Sequence, residues 1–218
     1  MFSRIRVAYL ERKGFNGLAA GDFQTALTAF QALMEQEPSR PGVRHNLGLA
    51  YLGAEDFAKA QECFLRDLET LGDHFPRLKV LGDLCYIWGK REDAHHWYKR
   101  AILDEDAEPS RVLLEERIRQ TASDDQFSQV QEADAAYRAG LTALQDEQYQ
   151  EALDQFQKAA TLNPTHVLAL NNAGTVLMNN FSRYAEARKA FRAGLEMEPL
   201  PILQMNLEKV AEAEARTR

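Results

Sequence analysis

Residues 48–64 read GLAYLGAEDFAKAQECF, and 34 positions later residues 82–98 read GDLCYIWGKREDAHHWY. Laid in register, the two segments match Gly48 with Gly82, Ala60 with Ala94 and Phe64 with Tyr98. The same step reaches back to Gly14, Ala26 and Phe30, and Gly140 and Gly174 are again 34 apart. A further set, Ala152 and Ala187, Phe156 and Phe191, Pro164 and Pro199, keeps a step of 35, which is one inserted residue. Self-similarity at a fixed period of this length marks a stacked-repeat architecture.

Each period reads as two amphipathic helices, the first carrying the glycine and the second carrying a small residue followed one turn later by an aromatic. A residue without a bulky Cβ lets two helices approach, which predicts that Gly48 and Gly82 face Ala60 and Ala94. On that reading the aromatic fills the gap between this pair and the next repeat. Turn signals divide the helices at Gly21-Asp22-Phe23, Glu55-Asp56-Phe57, Gly89-Lys90-Arg91 and Glu147-Gln148-Tyr149. Pro38, Pro164 and Pro199 lie just beyond second helices, where proline stops propagation. The extra residue of the last unit is absorbed between Asn179 and Tyr184.

These residues resemble the tetratricopeptide repeat family over five units, 7–40, 41–74, 75–108, 133–166 and 167–201. The resemblance implies an all-α protein of helix-turn-helix repeats stacked into a right-handed α-solenoid. Lys13 stands where the family prefers leucine, Gly17 where it prefers tyrosine, and Gly72 and Asp106 where it prefers proline.

The step from Gly82 to Gly140 is 58, so the array is interrupted after its third unit. The reading is three units over 1–108, a spacer and capping helix over 109–123, two units over 124–201, and a closing helix over 202–218. Within the spacer, Ser110 is the expected cap with Pro109 outside the helix, and Val112, Leu113, Leu114 and Ile118 form an apolar set able to cover the third unit. Ser123 with Gln126 resembles a capping box opening a new helix. Two hinged blocks and one continuous superhelix both fit. In the closing helix, Leu203, Leu207 and Val210 are expected inward, with Glu208, Glu212 and Arg216 in water.

Composition agrees with a folded protein: 45% hydrophobic and 27% charged residues, net charge −7. The charge is uneven, +1 over 1–103, −10 over 104–154 and +2 over 155–218. An acidic chain offers little of the phosphate neutralisation that drives nucleic-acid binding, so no nucleic-acid partner is expected. The opening residues run into Glu11-Arg12-Lys13 before a signal-peptide core could form, and no apolar run is long enough to span a bilayer. These features, with the brevity of the chain, point to a bacterial, cytoplasmic protein without membrane insertion. Cys63 and Cys85 fit neither a disulfide framework nor a zinc pattern and read as packing residues.

The resemblance places a ligand groove on the first helices, with Arg12, Phe15, Asn46, Leu49, Lys79, Asp83, Tyr86, Tyr137, Arg138, Leu141, Asn171, Asn172 and Thr175 on its face. Asn46 and Asn172 are the leading candidates: a side-chain amide can donate to and accept from a peptide backbone, or it can bond a neighbouring helix. The terminal-carboxylate clamp of chaperone-binding members is incomplete, since Phe15 and Leu141 replace asparagine and Val80 replaces arginine. Lys79 and Arg12 still favour an acidic ligand.

Other features read more plainly. His95 and His96 point about 100° apart on one helix and cannot converge on a metal. Trp88 reads as packing. The acids at 104–108 echo a calcium loop, but Pro109 occupies the place of the turn glycine. No metal or cofactor site is expected. No nucleophile elbow, phosphate loop or metalloprotease motif occurs, and the roughly 30 residues between repeats are too few for a catalytic domain. The expected function is therefore a non-catalytic adaptor holding a protein or peptide segment; the alternatives are a self-assembling structural protein and a non-catalytic subunit of a larger complex.

Overall fold

The computed structural model describes residues 2–216, with side chains from residue 4. Met1 and residues 217–218, the outermost parts of the first block and of the closing helix, lie outside the described residues. The described chain holds twelve α-helices and one 3-10 helix, with no strand among them. No helix among them is long and apolar enough to cross a membrane. The chain divides into two compact units, Met1–Asp104 and Glu105–Arg218.

The first unit contains α1 (Phe2–Ala20), α2 (Phe23–Gln36), α3 (Val43–Gly53), α4 (Phe57–Leu71), α5 (Phe75–Ile87) and α6 (Arg91–Ala101). Each helix packs on the next in sequence, giving three stacked helix pairs. The second unit opens with a 3-10 helix (Glu105–Ser110) and α7 (Arg111–Gln120), followed by α8 (Asp124–Gln145), α9 (Tyr149–Leu162), α10 (Val167–Asn179), α11 (Tyr184–Met197) and α12 (Pro201–Arg216). From α8 onward it repeats the same neighbour-on-neighbour packing.

The periodic residues form the core. Ala26, Ala60, Ala94, Ala152 and Ala187 are fully buried, and so are the aromatics one turn later. A Cβ built on Gly48 would lie 2.5 Å from the Phe64 ring, and one on Gly174 2.5 Å from Phe191. Gly14, Gly82 and Gly140 stand in the same relation to Phe30, Tyr98 and Phe156. The glycine is thus a seat for the aromatic of its own helix pair. The reason is reach: a long helical side chain leans toward its helix N-terminus, and the ring occupies the space the glycine leaves.

Turn geometry is also periodic. Gly21, Glu55, Gly89, Glu147 and Ser182 all adopt positive φ, between 54° and 83°, at the break between the helices of a pair. Three of these are not glycine, so the chain carries left-handed strain at Glu55, Glu147 and Ser182. Asp22 and Asp56 then cap α2 and α4 by accepting from the Thr25 and Lys59 backbone N–H. Hydrogen bonding to the Thr25 and Lys59 side chains, and then these backbone bonds, holds both carboxyls below their ordinary value.

The spacer departs from its sequence reading. Pro109 lies inside the 3-10 helix, and Ser110 makes no side-chain cap bond. The chain enters α7 from a tight turn, not in the extended conformation that a side-chain cap uses. Leu113 and Leu114 are buried but Val112 is exposed. α7 packs on α8 and α11 of the second unit, and its end is tied in by a buried polar network. Gln120 Nε2 donates to Asn163 Oδ1 at 2.9 Å, and the same oxygen receives Thr165 Oγ1 at 2.7 Å. The Ser123 cap on α8 forms, with Gln126 N–H donating to Ser123 Oγ at 3.3 Å. In α12, Leu203 and Val210 are fully buried and Leu207 is half-buried, while Glu208, Glu212 and Arg216 are exposed.

Candidate functional site: the first-helix faces

In the first unit the residues come from α1, α3 and α5. Arg12 is exposed, and it lines a cleft with Tyr9, Lys13 and Asn16. Phe15 is 47% exposed, its ring resting edge-on against Phe30 at 5.6 Å. Asn46 is half-buried, and its side-chain amide makes no hydrogen bond among the described residues. Leu49 packs into the core formed by Ala60, Phe64, Leu81 and Leu84.

The α5 candidates turn toward one another and toward their partner helix. Lys79 Nζ lies 2.8 Å from Asp83 Oδ2, and Tyr98 Oη of α6 donates to Asp83 Oδ1 at 2.8 Å. Tyr86 is buried against the Tyr98 ring at 6.1 Å. Asp83 is therefore a bracket between α5 and α6. Nearby, Asp67 of α4 is buried 3.5 Å from the Arg44 guanidinium, and burial raises its carboxyl against the lowering pull of that cation.

In the second unit the candidates form a connected polar chain. Asn172 Nδ2 donates to Tyr137 Oη at 3.4 Å, and Asn171 Nδ2 to Asn172 Oδ1 at 3.5 Å. Asn206 Nδ2, from α12, donates to Asn171 Oδ1 at 2.9 Å, and Thr175 Oγ1 to the Asn171 carbonyl at 2.8 Å. The Tyr137 ring also lies 4.5 Å from His166 and 5.7 Å from Phe156, and burial raises its phenol. Leu141 is half-buried on the core, whereas Arg138 is exposed and paired with Asp134 at 2.8 Å.

Two contributors went unread in the sequence although a signal existed. Asn206 stands 34 residues after Asn172, and Asn171 34 after Tyr137, so the repeat register runs on into α12. His166 caps α10 through Nδ1, which accepts from the Ala169 N–H at 3.2 Å. Burial, with the Arg117 charge second, holds its imidazole below the ordinary value. Trp88 and the two cysteines pack, whereas His96 and Glu105, Asp106 and Glu108 are exposed. Trp88 stacks on Phe57 at 5.8 Å with the Lys90 ammonium 3.4 Å from its ring centre. Burial pushes the thiols of Cys63 and Cys85 up to about 11, which leaves both protonated at neutral pH.

Two family profiles, both described as tetratricopeptide repeat, match the chain: one over residues 17–81, the other over 120–167 and 137–201. No curated protein matches at the sequence level. Among solved structures, MamA AMB-1 is 20% identical with a TM-score of 0.45, the alignment covering 89% of this chain and 92% of that one. MamA MSR-1 is 18% identical at a TM-score of 0.45, covering 98% and 99%. A structure reported in a functional characterisation of pilF from Pseudomonas aeruginosa is 17% identical at 0.46, covering 99% and 88%.

Proposed function

The chain belongs to the tetratricopeptide repeat family, and from that premise we propose that it is a non-catalytic adaptor whose first-helix face holds a segment of a partner protein. One observation carries the reading. On adjacent first helices of the first unit, Phe15 is about half exposed and Asn46 leaves its amide unbonded among the described residues. An exposed aromatic supplies contact area at small entropic cost, and a free amide can pair with a peptide backbone in both directions. Arg12 adds an exposed cation on α1, which suits an acidic segment.

In the second unit the amides already serve one another, so the proposed grip is centred on the first. Tyr137→Ala would remove a half-buried ring from the core and is a poor probe of binding. The informative variant is Phe15→Ala with Asn46→Ala, immobilised beside the wild-type chain in extract from the native host, with cross-linked peptides identified by mass spectrometry. Partners that cross-link near α1 and α3 of the wild type are expected to be lost from the variant. Equal recovery of every partner by both forms refutes the reading.

A further inference from the structure

We propose that the outer side of α1 is the seat for the α12 helix of a second copy of this chain, in a head-to-tail contact. The repeat register locates the seat. On α3, Val43, Leu47 and Ala50 are 2%, 8% and 0% exposed, because α2 of the preceding helix pair packs there. The residues 34 positions earlier are Tyr9, Lys13 and Asn16 of α1, and no described element takes the part of α2 against them. Tyr9 is 61% exposed, and Ile5, one turn before it, is 63% exposed. In place of a packed interface there is a cleft of about 460 Å³. Its depth comes from Gly17, which stands where α3 has Tyr51 and lies directly on the α2 backbone at Ala26.

The chemistry of the seat differs from that of α3. Leu47 is replaced by Lys13 and Ala50 by Asn16, and Arg12 adds a second cation on the rim. Of the acids nearby, Glu11 is taken by Arg40 at 2.9 Å and Asp22 by the α2 cap, where it also feels Lys13. The occupant that fits is a helix with an apolar residue for Tyr9 and Ile5 and carboxylates for the two cations.

α12 presents that pattern. Opposite its buried Leu203, Asn206 and Val210, helical spacing puts Met205, Glu208 and Glu212 on one exposed stripe, flanked by Lys209. Glu208 makes no ion pair among the described residues, and Glu212 has only a 3.8 Å contact with exposed Arg216. Glu208 also stands 34 residues after Gly174, so a carboxylate occupies the place where a ring would seat. This outer face is shaped for charge, not for another second helix of the repeat type. Tyr9, Arg12 and Asn16 share the spacing of Met205, Glu208 and Glu212, so a parallel pairing sets sulfur on ring, the Arg12 guanidinium on Glu208 and the Asn16 amide on Glu212, with Lys13 alongside as a second cation. Each copy has one seat and one α12, which makes the contact heterologous. A single helix pair buries little area, so the association is weak, reversible and sensitive to salt.

The test is sedimentation velocity on the purified full chain, from about ten micromolar to about one millimolar, the range in which weak contacts populate. The mean mass should rise with concentration and fall back in high salt. Arg12→Glu with Lys13→Glu, and separately Glu208→Lys with Glu212→Lys, should each raise the half-association concentration at least about tenfold, as loss of paired charges does. Tyr9→Ser and Met205→Ser should weaken it in the same direction. Mixed in equal parts, the two charge variants should recover association, because the native seat of one meets the native α12 of the other and the two reversed faces are again of unlike charge. The chain carrying all four reversals should recover self-association. A monomer at every concentration, or assembly indifferent to the α12 substitutions, overturns the proposal. The measurement needs no partner protein, so its failure leaves the Phe15 and Asn46 reading standing, and the converse holds.

Discussion

Asn46 in the first unit and Asn172 in the second hold the same place in their repeats, two residues before the glycine. Asn46 has no side-chain bond among the described residues; Asn172 is bonded to Tyr137 and Asn171, and through Asn171 to Asn206. The neighbours decide the difference. In the second unit a phenol and an amide one repeat away, Tyr137 and Asn206, come within reach of the pair formed by Asn171 and Asn172, whereas Asn46 is flanked in register by Arg12 and Val80, and neither bonds it. One register position thus serves cohesion in one unit and leaves a free contact in the other. A family's binding position is a place on a helix, and its use depends on what the adjacent helices supply.

The largest expected effect tests what the units share. Gly48→Val and Gly174→Val would each drive a branched side chain into a fully buried ring. Each should cost about 3 kcal/mol in denaturant titration, the upper part of the range for overpacking. Similar losses would confirm one packing scheme in both units. A loss in one alone would mean that the units differ in their cores as well as their faces.

The next effect separates the faces. Asn206→Ala removes a nearly buried donor and leaves the Asn171 oxygen without it, at a cost of about 1–2 kcal/mol. Asn46→Ala should stay within about 0.5 kcal/mol, as for a residue with no bond to lose. Equal costs would erase the distinction drawn between the two amides.

Acid should loosen the second unit through His166. Its imidazole is held below the ordinary 6.5 by burial, so the unfolded chain takes up the proton first. The stability contribution is complete above pH 6.5 and is lost as pH falls from there through the folded value. Protonation also removes the Nδ1 acceptor that caps α10, a bond worth about 1 kcal/mol by analogy with other caps. His166→Asn keeps a capping oxygen without a titrating group. Thermal melts between pH 7 and pH 5, near the histidine range, should show a shallower fall for the variant.

The smallest effect concerns the turns. Glu55 and Glu147 hold φ near 59° and 58° where Gly21 and Gly89 sit without strain. Glu55→Gly and Glu147→Gly should each stabilise by about 0.5–1 kcal/mol, the left-handed strain relieved less the added chain entropy. Differential scanning calorimetry would read this as a rise in Tm. A fall would show that the glutamate side chains contribute more than their backbone strain costs.

Period, turn positions, proline stops and the buried identity of Ala60, Phe64 and their counterparts were legible because each depends on local spacing. The helix-pair assignment follows from them. Less legible was that the ring seats on the glycine of its own helix pair, since that depends on how far the side chain reaches along the facing helix. The entry to α7 was misread because Ser110 after Pro109 looks like a cap while the backbone arrives in a 3-10 turn. Of the candidate face, Arg12, Phe15 and Asn46 proved open, whereas Tyr86, Asp83 and Asn172 were drawn into contacts with neighbouring helices.

By itself, the chain's chemistry determined a period of 34, an all-helical repeat and the family to which it belongs, because hydrophobic spacing and small residues act within one or two turns. Tertiary structure alone decided which amides are free, that an aromatic ring rather than a methyl fills each glycine seat, and that the outer side of α1 carries an uncovered cleft. Those outcomes depend on side chains brought together from residues about 15 to 35 positions apart, and their pairing is set by packing geometry that no local pattern encodes.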